Sequence, residues 1–187
     1  MIYSEFSDIP RLHYDLIMAD APWHFRQYSA KGYEKNPAKK YAVMSSQEIA
    51  DLPVADIAGK DCLLWMWATN PMLPSAIAVM QSWGFTFKTA GHWVKRTKND
   101  KLAFGTGYIL RSAGEPFVIG AIGKPKTARN IRSVIEGRVR EHSRKPDEAY
   151  RAAEALVPGA LNRIDLFSRE VREGWDSFGN EPEKFKG

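Results

Sequence analysis

The stretch 'DLIMADAPWHF', residues 15–25, decides the expected fold. Its apolar run, residues 16–19, is typical of a buried strand and ends abruptly in an acid, a small residue, a proline and a tryptophan. Strands buried on both faces of a parallel sheet have such continuous apolar runs, and ligands bind beyond the carboxyl ends of those strands. An acid and a tryptophan delivered together at this point therefore mark a candidate site.

Further apolar or β-branched runs alternate with helix signals along the chain. Strands are predicted at residues 14–19, 62–68, 85–94, 117–122 and 162–167. Helices are predicted in 'SSQEIADL', where Ser45 and Glu48 have the spacing of a capping box, in 'PSAIAVMQSWG', which ends at Gly84, and in 'KPDEAYRAAEALVPG'. This alternation predicts an α/β fold with a mostly parallel sheet covered by helices on both faces.

Length and composition predict one domain spanning residues 1–187. A chain of 187 residues with 44% hydrophobic and 12% aromatic content can bury a full core. Cys62 is the only cysteine and lies in the apolar run 'CLLWMWA', so an intrachain disulfide is excluded and a buried, inert thiol is expected. There is no signal-peptide pattern and no apolar run long enough to cross a membrane. We therefore expect a soluble, cytoplasmic protein.

The basic residues are concentrated in three segments. Residues 24–42, 95–111 and 123–145 carry 18 of the 27 Lys and Arg but only four of the 22 acids. Two stretches, residues 24–43 and 97–112, lack a clear period and are predicted to be mobile basic loops. Such segments suit a polyanion partner, although charge runs in loops can also be merely solvated. Charge alone leaves both interpretations open.

Glycine and histidine patterns exclude several other kinds of site. 'GTGYIL' lacks the third glycine of a dinucleotide fingerprint, and 'GAIGKPKT' lacks the glycine spacing of a phosphate loop. His13, His24, His92 and His142 show neither i, i+4 pairing nor a carboxylate-rich setting. We therefore expect no metal site, and we expect each histidine on the surface or in a loop.

The motif Asp20-Ala21-Pro22-Trp23 combines groups that can hold a nucleobase amine. The Asp20 carboxylate can accept a hydrogen bond, and Pro22 disfavours the α conformation at Ala21, whose carbonyl can become a second acceptor. Trp23 offers a flat face for base stacking. Two acceptors aimed at an exocyclic amine favour its pyramidal form, which attacks an electrophile. By themselves, however, these residues favour a plainer interpretation, a strand-terminating turn with a packed tryptophan.

Ordered motifs along nearly the whole chain resemble one enzyme family. 'MADAPW' looks like the Asp-Pro-Pro-Trp motif of the β-type amino-methyltransferases, and 'YAVMS', 'LLWMWAT', 'HWVKRT', 'GEPFVIGAIGK', 'HSRKPDEAYRAAEALVPGALNRIDLFSRE' and 'GWDSFGNE' follow in the family's order. The resemblance covers roughly residues 15–181 and is closest to N6-adenine methyltransferases related to the eukaryotic mRNA N6-adenosine methyltransferase. It implies a Rossmann-like, S-adenosylmethionine-dependent methyltransferase fold in permuted order, with the catalytic motif first and the cofactor segment last.

The resemblance also implies roles for individual residues. Asp20 and the Ala21 carbonyl would hold the target amine, with Pro22 and Trp23 shaping the base pocket. The implied substrate contacts are Tyr41, Lys95, Glu115 and Lys145, and the implied cofactor contacts are Asp20, Lys145, Asp165, Phe167, Arg169, Asn180 and Glu181. Ala21 stands where the family usually has proline, so its backbone is less restricted. A lower rate with an unchanged role is expected there.

The sequence therefore predicts an N6-adenine methyltransferase that acts on nucleic acid, DNA in preference to RNA, without a metal. The chain is too short for a sizeable recognition domain, so the basic segments, a second copy of the chain or a partner subunit would supply recognition. Two rival hypotheses are a catalytically silent nucleic-acid-binding subunit and a small-molecule amine methyltransferase. The intact motif residues argue against the first, and the basic segments argue against the second.

Overall fold

A computed structural model describes residues 1–23, 44–107, 109–141 and 144–179. The strands in these ranges are β1 (Ile2–Tyr3), β2 (Tyr14–Ala19), β3 (Ala58–Trp67), β4 (Thr86–Arg96), β5 (Gly114–Ile122), β6 (Val134–Arg138), β7 (Arg163–Leu166) and β8 (Asp176–Phe178). The helices are α1 (Ser46–Ala50), α2 (Val54–Ile57), α3 (Leu73–Ser82) and α4 (Asp147–Leu156), with short 3-10 helices at Phe6–Asp8 and Asn70–Met72. The predicted loop 24–43 lies outside the described residues.

These strands form one eight-stranded sheet in the order β1-β8-β7-β2-β3-β5-β4-β6. β5 runs antiparallel to β3 and β4, and all other neighbours are parallel. The described residues between β4 and β5 form a loop without a crossover helix, which is the connection that antiparallel neighbours allow. The prediction of a mostly parallel sheet is confirmed. Because β5 is reversed, its amino end meets the carboxyl ends of β2, β3 and β4 at one edge of the sheet.

Successive residues of the central strands bury opposite faces of the sheet. Ile17 belongs to a core cluster with Ile49 of α1 and Met80 of α3, on one face. Leu16 belongs to a second cluster with Ala153 of α4, on the other face. The predicted helices on both faces are therefore confirmed. None of the described helices has both the length and the apolar character needed to cross a membrane.

Every strand predicted from an apolar run is present: β2 has the predicted bounds, and the ends of the others are shifted by up to four residues. The three predicted helices are also present. The capping box is formed: the Ser45 side chain accepts from the Glu48 N–H at 3.2 Å, and the Glu48 carboxylate accepts from the Ser45 N–H at 2.7 Å. Gly84 has a φ of 80° and follows the end of α3. Strands β1, β6 and β8 and helix α2 were not predicted.

Cys62 and His92 test two predictions about individual side chains. Cys62 is fully buried, as expected, and burial raises the pKa of its thiol to about 12. His92 lies in β4 and not in a loop, and it is half-buried, with its imidazole beside Gly114 at the start of β5. Burial lowers the pKa of this imidazole.

Candidate active site

The predicted catalytic motif begins where β2 ends. Asp20 follows the last residue of this strand, and its N–H donates to the Leu166 carbonyl of β7 at 3.2 Å. The Ala21 carbonyl accepts from the Trp23 N–H at 2.8 Å, which makes a tight turn of the γ type. A carbonyl oxygen has a second lone pair, so this contact leaves room for another donor.

Trp23 is packed into the core beside this turn. It is 6% exposed, and its indole Nε1 donates to the Trp67 carbonyl at 3.3 Å. Its backbone forms a parallel bridge to Met44, whose N–H donates to the Pro22 carbonyl at 2.9 Å. In the described residues, Trp23 therefore presents little ring surface for the stacking that the sequence predicts.

Four charged side chains form a continuous chain across this edge of the sheet. The Nζ atom of Lys145 lies 2.8 Å from Oδ2 of Asp20 and 2.8 Å from Oε1 of Glu115. The Nζ atom of Lys95 lies 2.8 Å from the other oxygen of Glu115. We call Asp20, Lys145, Glu115 and Lys95 the ion-pair chain. Lys145 is 7% exposed and lies 5.4 Å from the ring centroid of Trp67, so the chain is centred on a buried ammonium group.

Strand direction explains why these side chains meet. Lys95 lies near the carboxyl end of β4, and Glu115 lies near the amino end of β5. Since β5 is antiparallel to β3 and β4, both residues reach the edge where β2 delivers Asp20. Lys145 lies two residues before α4 and approaches from the helix side.

Burial and the ion pairs with Lys145 act in opposite directions on the pKa values of this chain. Burial alone would lower the pKa of Lys145, but the carboxylates of Asp20 and Glu115 raise it above its ordinary value. Burial alone would raise the pKa of Glu115, but Lys145 and Lys95 lower it to about 2. Burial raises the pKa of Asp20, a shift that Lys145 opposes. Lys145 and Glu115 are therefore both charged at neutral pH.

A cavity opens between the carboxyl ends of β2 and β7. It is lined by Asp20, Arg144, Lys145, Tyr150, Asp165, Phe167, Ser168, Arg169 and Glu170. Phe167 has a φ of 65°, in the left-handed region that residues other than glycine rarely adopt. Backbone strain of this kind is concentrated at ligand sites. The cavity joins the predicted catalytic motif to the predicted cofactor segment.

Asp165 places a buried carboxyl group at this cavity. It is 4% exposed and accepts a hydrogen bond from the Tyr150 hydroxyl at 2.7 Å. Burial raises the pKa of Asp165 to about 7, although hydrogen bonds from Tyr150 and Ser168 oppose the shift. Burial also raises the pKa of Tyr150, so the phenol remains a hydrogen-bond donor.

Sequence reasoning missed a cluster of arginines and carboxylates beside the cavity. Glu170 accepts from Arg144 at 2.5 and 3.1 Å and from Arg172 at 3.2 Å. Asp147 accepts from Arg140 at 2.7 Å and from Arg172 at 2.8 Å. These contacts tie the segment before α4 to the segment after β7. Arg140 and Arg144 belong to the basic segment 123–145, so their abundance there suggested an external polyanion and gave no sign of internal pairing.

The structure brings most of the predicted site residues into two adjoining groups. Asp20, Lys95, Glu115 and Lys145 form the ion-pair chain, and Asp20, Lys145, Asp165, Phe167 and Arg169 line the cavity. The two groups share Asp20 and Lys145. Tyr41, Asn180 and Glu181 lie outside the described residues, so their predicted roles remain predictions.

Comparison with known proteins gives consistent matches. The family model MT-A70 matches residues 14–181. The type II methyltransferase M.MunI of Mycoplasma sp is 31% identical over 195 residues, which cover 94% of this chain and 81% of the relative. An N(6)-adenosine-methyltransferase MT-A70-like protein of Arabidopsis thaliana is 30% identical over 173 residues, covering 90% of this chain and 24% of the relative. Human N(6)-adenine-specific methyltransferase METTL4 is 25% identical over 192 residues, covering 94% of this chain and 39% of the relative.

The extent of these matches differs between the relatives. The chain spans most of the Mycoplasma protein but less than two fifths of the plant and human proteins. The family match runs from β2 to beyond β8 and includes the whole ion-pair chain and every residue that lines the cavity. The chain belongs to the MT-A70 family.

Proposed function

We propose that this protein transfers a methyl group from S-adenosylmethionine to the N6 amine of adenine in nucleic acid, DNA in preference to RNA. The observation that carries the proposal is Asp20 at the end of β2, held by Lys145 at 2.8 Å beside the cavity. The relatives named for N(6)-adenine and N(6)-adenosine methyl transfer support the reaction. The preference for DNA rests on the match to a type II methyltransferase over most of its length, whereas the N(6)-adenosine relative is matched over 24% of its length.

The arrangement of acceptors suits a weakly nucleophilic amine. The lone pair of the adenine amine is delocalised into the ring, so attack requires the amine to become pyramidal. The Asp20 carboxylate and the adjacent Ala21 carbonyl can accept its two hydrogens and favour that geometry. Lys145 and the hydrogen bond to Leu166 fix Asp20 before the substrate arrives. Groups oriented in advance stabilise the transition state because they need no reorganisation during the reaction.

The residues around the cavity fit S-adenosylmethionine. The molecule carries cationic sulfonium and ammonium groups, an anionic carboxylate and ribose hydroxyls. The cavity offers the carboxylates of Asp20 and Asp165 to the cations and Arg169 as a donor to the anion or ribose. When bound, this cofactor supplies an electrophilic methyl group. The residues that would hold it are Asp20, Lys145, Asp165, Phe167 and Arg169, joined by Asn180 and Glu181.

Label transfer from S-adenosylmethionine tests the proposal. The wild type, Asp20→Asn and the control Asp56→Asn are each incubated with DNA and with RNA that lack N6-methyladenine. Asp56 is a partly exposed acid on α2 that pairs with Arg11, away from the cavity. We expect the wild type and the control to label adenine in DNA. We expect Asp20→Asn to lose about 100-fold or more of the rate, the usual cost of removing a group that stabilises the transition state.

Other outcomes would select other functions. Label in RNA alone would contradict the preference for DNA while leaving the reaction in place. Cofactor binding without transfer to any polymer would indicate a silent nucleic-acid-binding subunit. Label in free adenosine but not in a polymer would indicate a small-molecule methyltransferase.

A further inference from the structure

The loop between β4 and β5 presents large apolar side chains to solvent. Phe104 is 79% exposed, Ile109 is fully exposed and Leu110 is 79% exposed. We call these three side chains the apolar tip. Single exposed apolar residues are ordinary on protein surfaces, but a group of them in one loop is typical of an interaction surface.

The apolar tip is held on a braced stem. The Ala103 N–H donates to the Lys95 carbonyl at 2.8 Å, and the Lys95 N–H donates to the Ala113 carbonyl at 2.9 Å. Nearer the tip, the Gly105 N–H donates to the Ser112 carbonyl at 2.8 Å. At the turn itself, a Cβ on Gly107 would lie 2.5 Å from the Leu110 carbonyl oxygen, so glycine is required for this close approach. The stem keeps the tip away from the core.

The two ends of the stem lie beside Lys95 and Glu115, which are members of the ion-pair chain. Lys95 lies at the end of β4 where the stem begins, and Glu115 lies at the start of β5 where the stem ends. Both residues connect through Lys145 to Asp20. The loop therefore leaves the sheet at the edge that carries the acceptor side of the site.

The loop that carries the apolar tip also carries exposed cations. Lys98, Lys101 and Arg111 are exposed, and the Arg111 guanidinium lies 5.3 Å from the Phe104 ring centroid. Asp100 is the acid of this loop, and Arg138 pairs with it at 3.0 Å. Protein–protein interfaces are depleted in lysine, whereas nucleic-acid interfaces use Lys and Arg on the phosphates. An apolar tip in a loop with exposed cations, one of them beside the Phe104 ring, thus matches a base stack flanked by phosphates.

We propose that the apolar tip is a wedge that enters the base stack of a duplex where the target adenine leaves it, so that the preferred substrate is double-stranded DNA. The inference rests on the proposed function. Extruding a base costs a few kcal/mol, and apolar side chains inserted between base steps are a known means of opening a duplex. A single strand needs no such wedge, because its bases are already accessible.

Methyl transfer to the same DNA in two forms tests the wedge. Genomic DNA that lacks N6-methyladenine is supplied native or heat-denatured, with labelled S-adenosylmethionine. The variants are Phe104→Ser/Ile109→Ser/Leu110→Ser, the conservative Phe104→Leu, and Leu161→Ser as a control. Leu161 is 83% exposed and precedes β7, at the opposite edge of the sheet from the site.

We expect the wild type, Phe104→Leu and Leu161→Ser to methylate native DNA at similar rates. The rate of the triple variant on native DNA should be lower by at least about tenfold. Base extrusion costs a few kcal/mol, and without the apolar side chains part of that cost is no longer offset. On denatured DNA the triple variant should match the wild type. An equal loss on both forms, or no loss on either, would overturn the wedge while leaving the proposed function intact.

Two further results distinguish the wedge from a subunit interface and from a failure of the proposed function. A change in molar mass by light scattering in the triple variant would show that the tip covers a second subunit, and would overturn the wedge. Absence of transfer by the wild type to either form of DNA would overturn the proposed function, and the wedge with it.

Discussion

Asp165 and Glu115 are two carboxyl groups of one candidate site, the first buried and the second partly buried, in opposite electrostatic surroundings. Glu115 contacts two lysines, which lower its pKa to about 2 against the effect of burial. Asp165 accepts from a neutral phenol, and burial raises its pKa to about 7. Because a pKa difference between folded and unfolded states makes stability depend on pH, the two groups act in opposite directions.

We expect Asp165→Asn to remove a charge that destabilises the fold at neutral pH. In the unfolded chain this carboxyl loses its proton near 3.8, whereas in the folded protein it keeps the proton up to about 7. The wild type should therefore lose stability relative to the variant as the pH rises through this window, by up to about 4 kcal/mol at about 1.4 kcal/mol per pKa unit. Urea unfolding at pH 4 and pH 8 measures the difference. A difference that is the same at both pH values would contradict the expectation.

Glu115→Gln should show the opposite dependence. The unfolded carboxyl has a pKa of 4.5 and the folded one about 2, so the stability that it contributes is present above pH 4.5 and is lost as the pH falls through about 2. We expect the variant to be less stable than the wild type by about 3 kcal/mol at pH 7, and by less than half of that at pH 3. Urea unfolding at the two pH values tests this, with the exposed Glu173→Gln as a control. A larger deficit at pH 3 would show that the ion pairs are not its cause.

At the residue scale, the sequence pointed to residues that the structure brings together, but not to the contacts between them. The ordered motifs singled out Asp20, Glu115 and Lys145. No pattern shows that Lys145 lies between the two carboxylates, because the three residues come from distant segments joined only by the folded sheet. Tyr150 has the spacing of an ordinary residue on the buried face of α4, and its partner Asp165 lies on a strand.

At the scale of elements, Gly91 of β4 makes room for a ring of the neighbouring strand. A Cβ at this position would lie 2.2 Å from Cζ of Phe117 and 2.5 Å from the Ser133 carbonyl oxygen. Phe117 stacks on Trp65 with a centroid distance of 4.0 Å, so it cannot move without disturbing the core. We expect Gly91→Ala to lower the free energy of unfolding by about 1–3 kcal/mol.

Gly159→Ala is the matched control for this prediction, because a Cβ there meets nothing within 4 Å. We expect it to leave the free energy of unfolding unchanged or to raise it slightly, through the reduced freedom of the unfolded chain. Both variants are measured by denaturant unfolding. A similar loss in both would indicate a general cost of replacing glycine and would contradict the steric explanation.

The strands that could be predicted are those buried on both faces. β2, β3 and β5 have continuous apolar runs because helices cover the sheet on either side. The reversed direction of β5 could not be predicted, since periodicity carries no information on strand direction. β1 and β8 are only two and three residues long, and β6 alternates between exposed and buried positions within a basic segment.

At the scale of the whole molecule, the net charge of +5 and the basic loop beside the ion-pair chain predict salt-sensitive binding of DNA. We expect affinity for a labelled duplex to fall by about tenfold or more between 50 and 200 mM salt, because bound cations are released from the phosphates. Fluorescence anisotropy over a salt series measures this. In the double variant Lys98→Gln/Lys101→Gln, the slope of log affinity against log salt concentration should become shallower by about one unit per lost phosphate contact.

Lys60→Gln serves as the control for this pair, because Lys60 is exposed near the amino end of β3, at the opposite edge of the sheet. It should leave the salt slope unchanged. If the affinity of the wild type for DNA does not vary with salt, the prediction that the basic segments bind a polyanion is contradicted.

The position of β2 in the sheet has a consequence for biosynthesis. This strand emerges from the ribosome early, yet one of its two neighbours, β7, is translated near the end of the described chain. Until then the backbone groups of β2 that later pair with β7 have no strand partner. Unpaired strand edges make incompletely folded chains prone to aggregate. The hydrogen bond from Asp20 to Leu166 also has to wait for β7. A partly synthesised chain therefore contains Asp20 without Asp165 and Leu166, and these residues come together only in the last phase of synthesis.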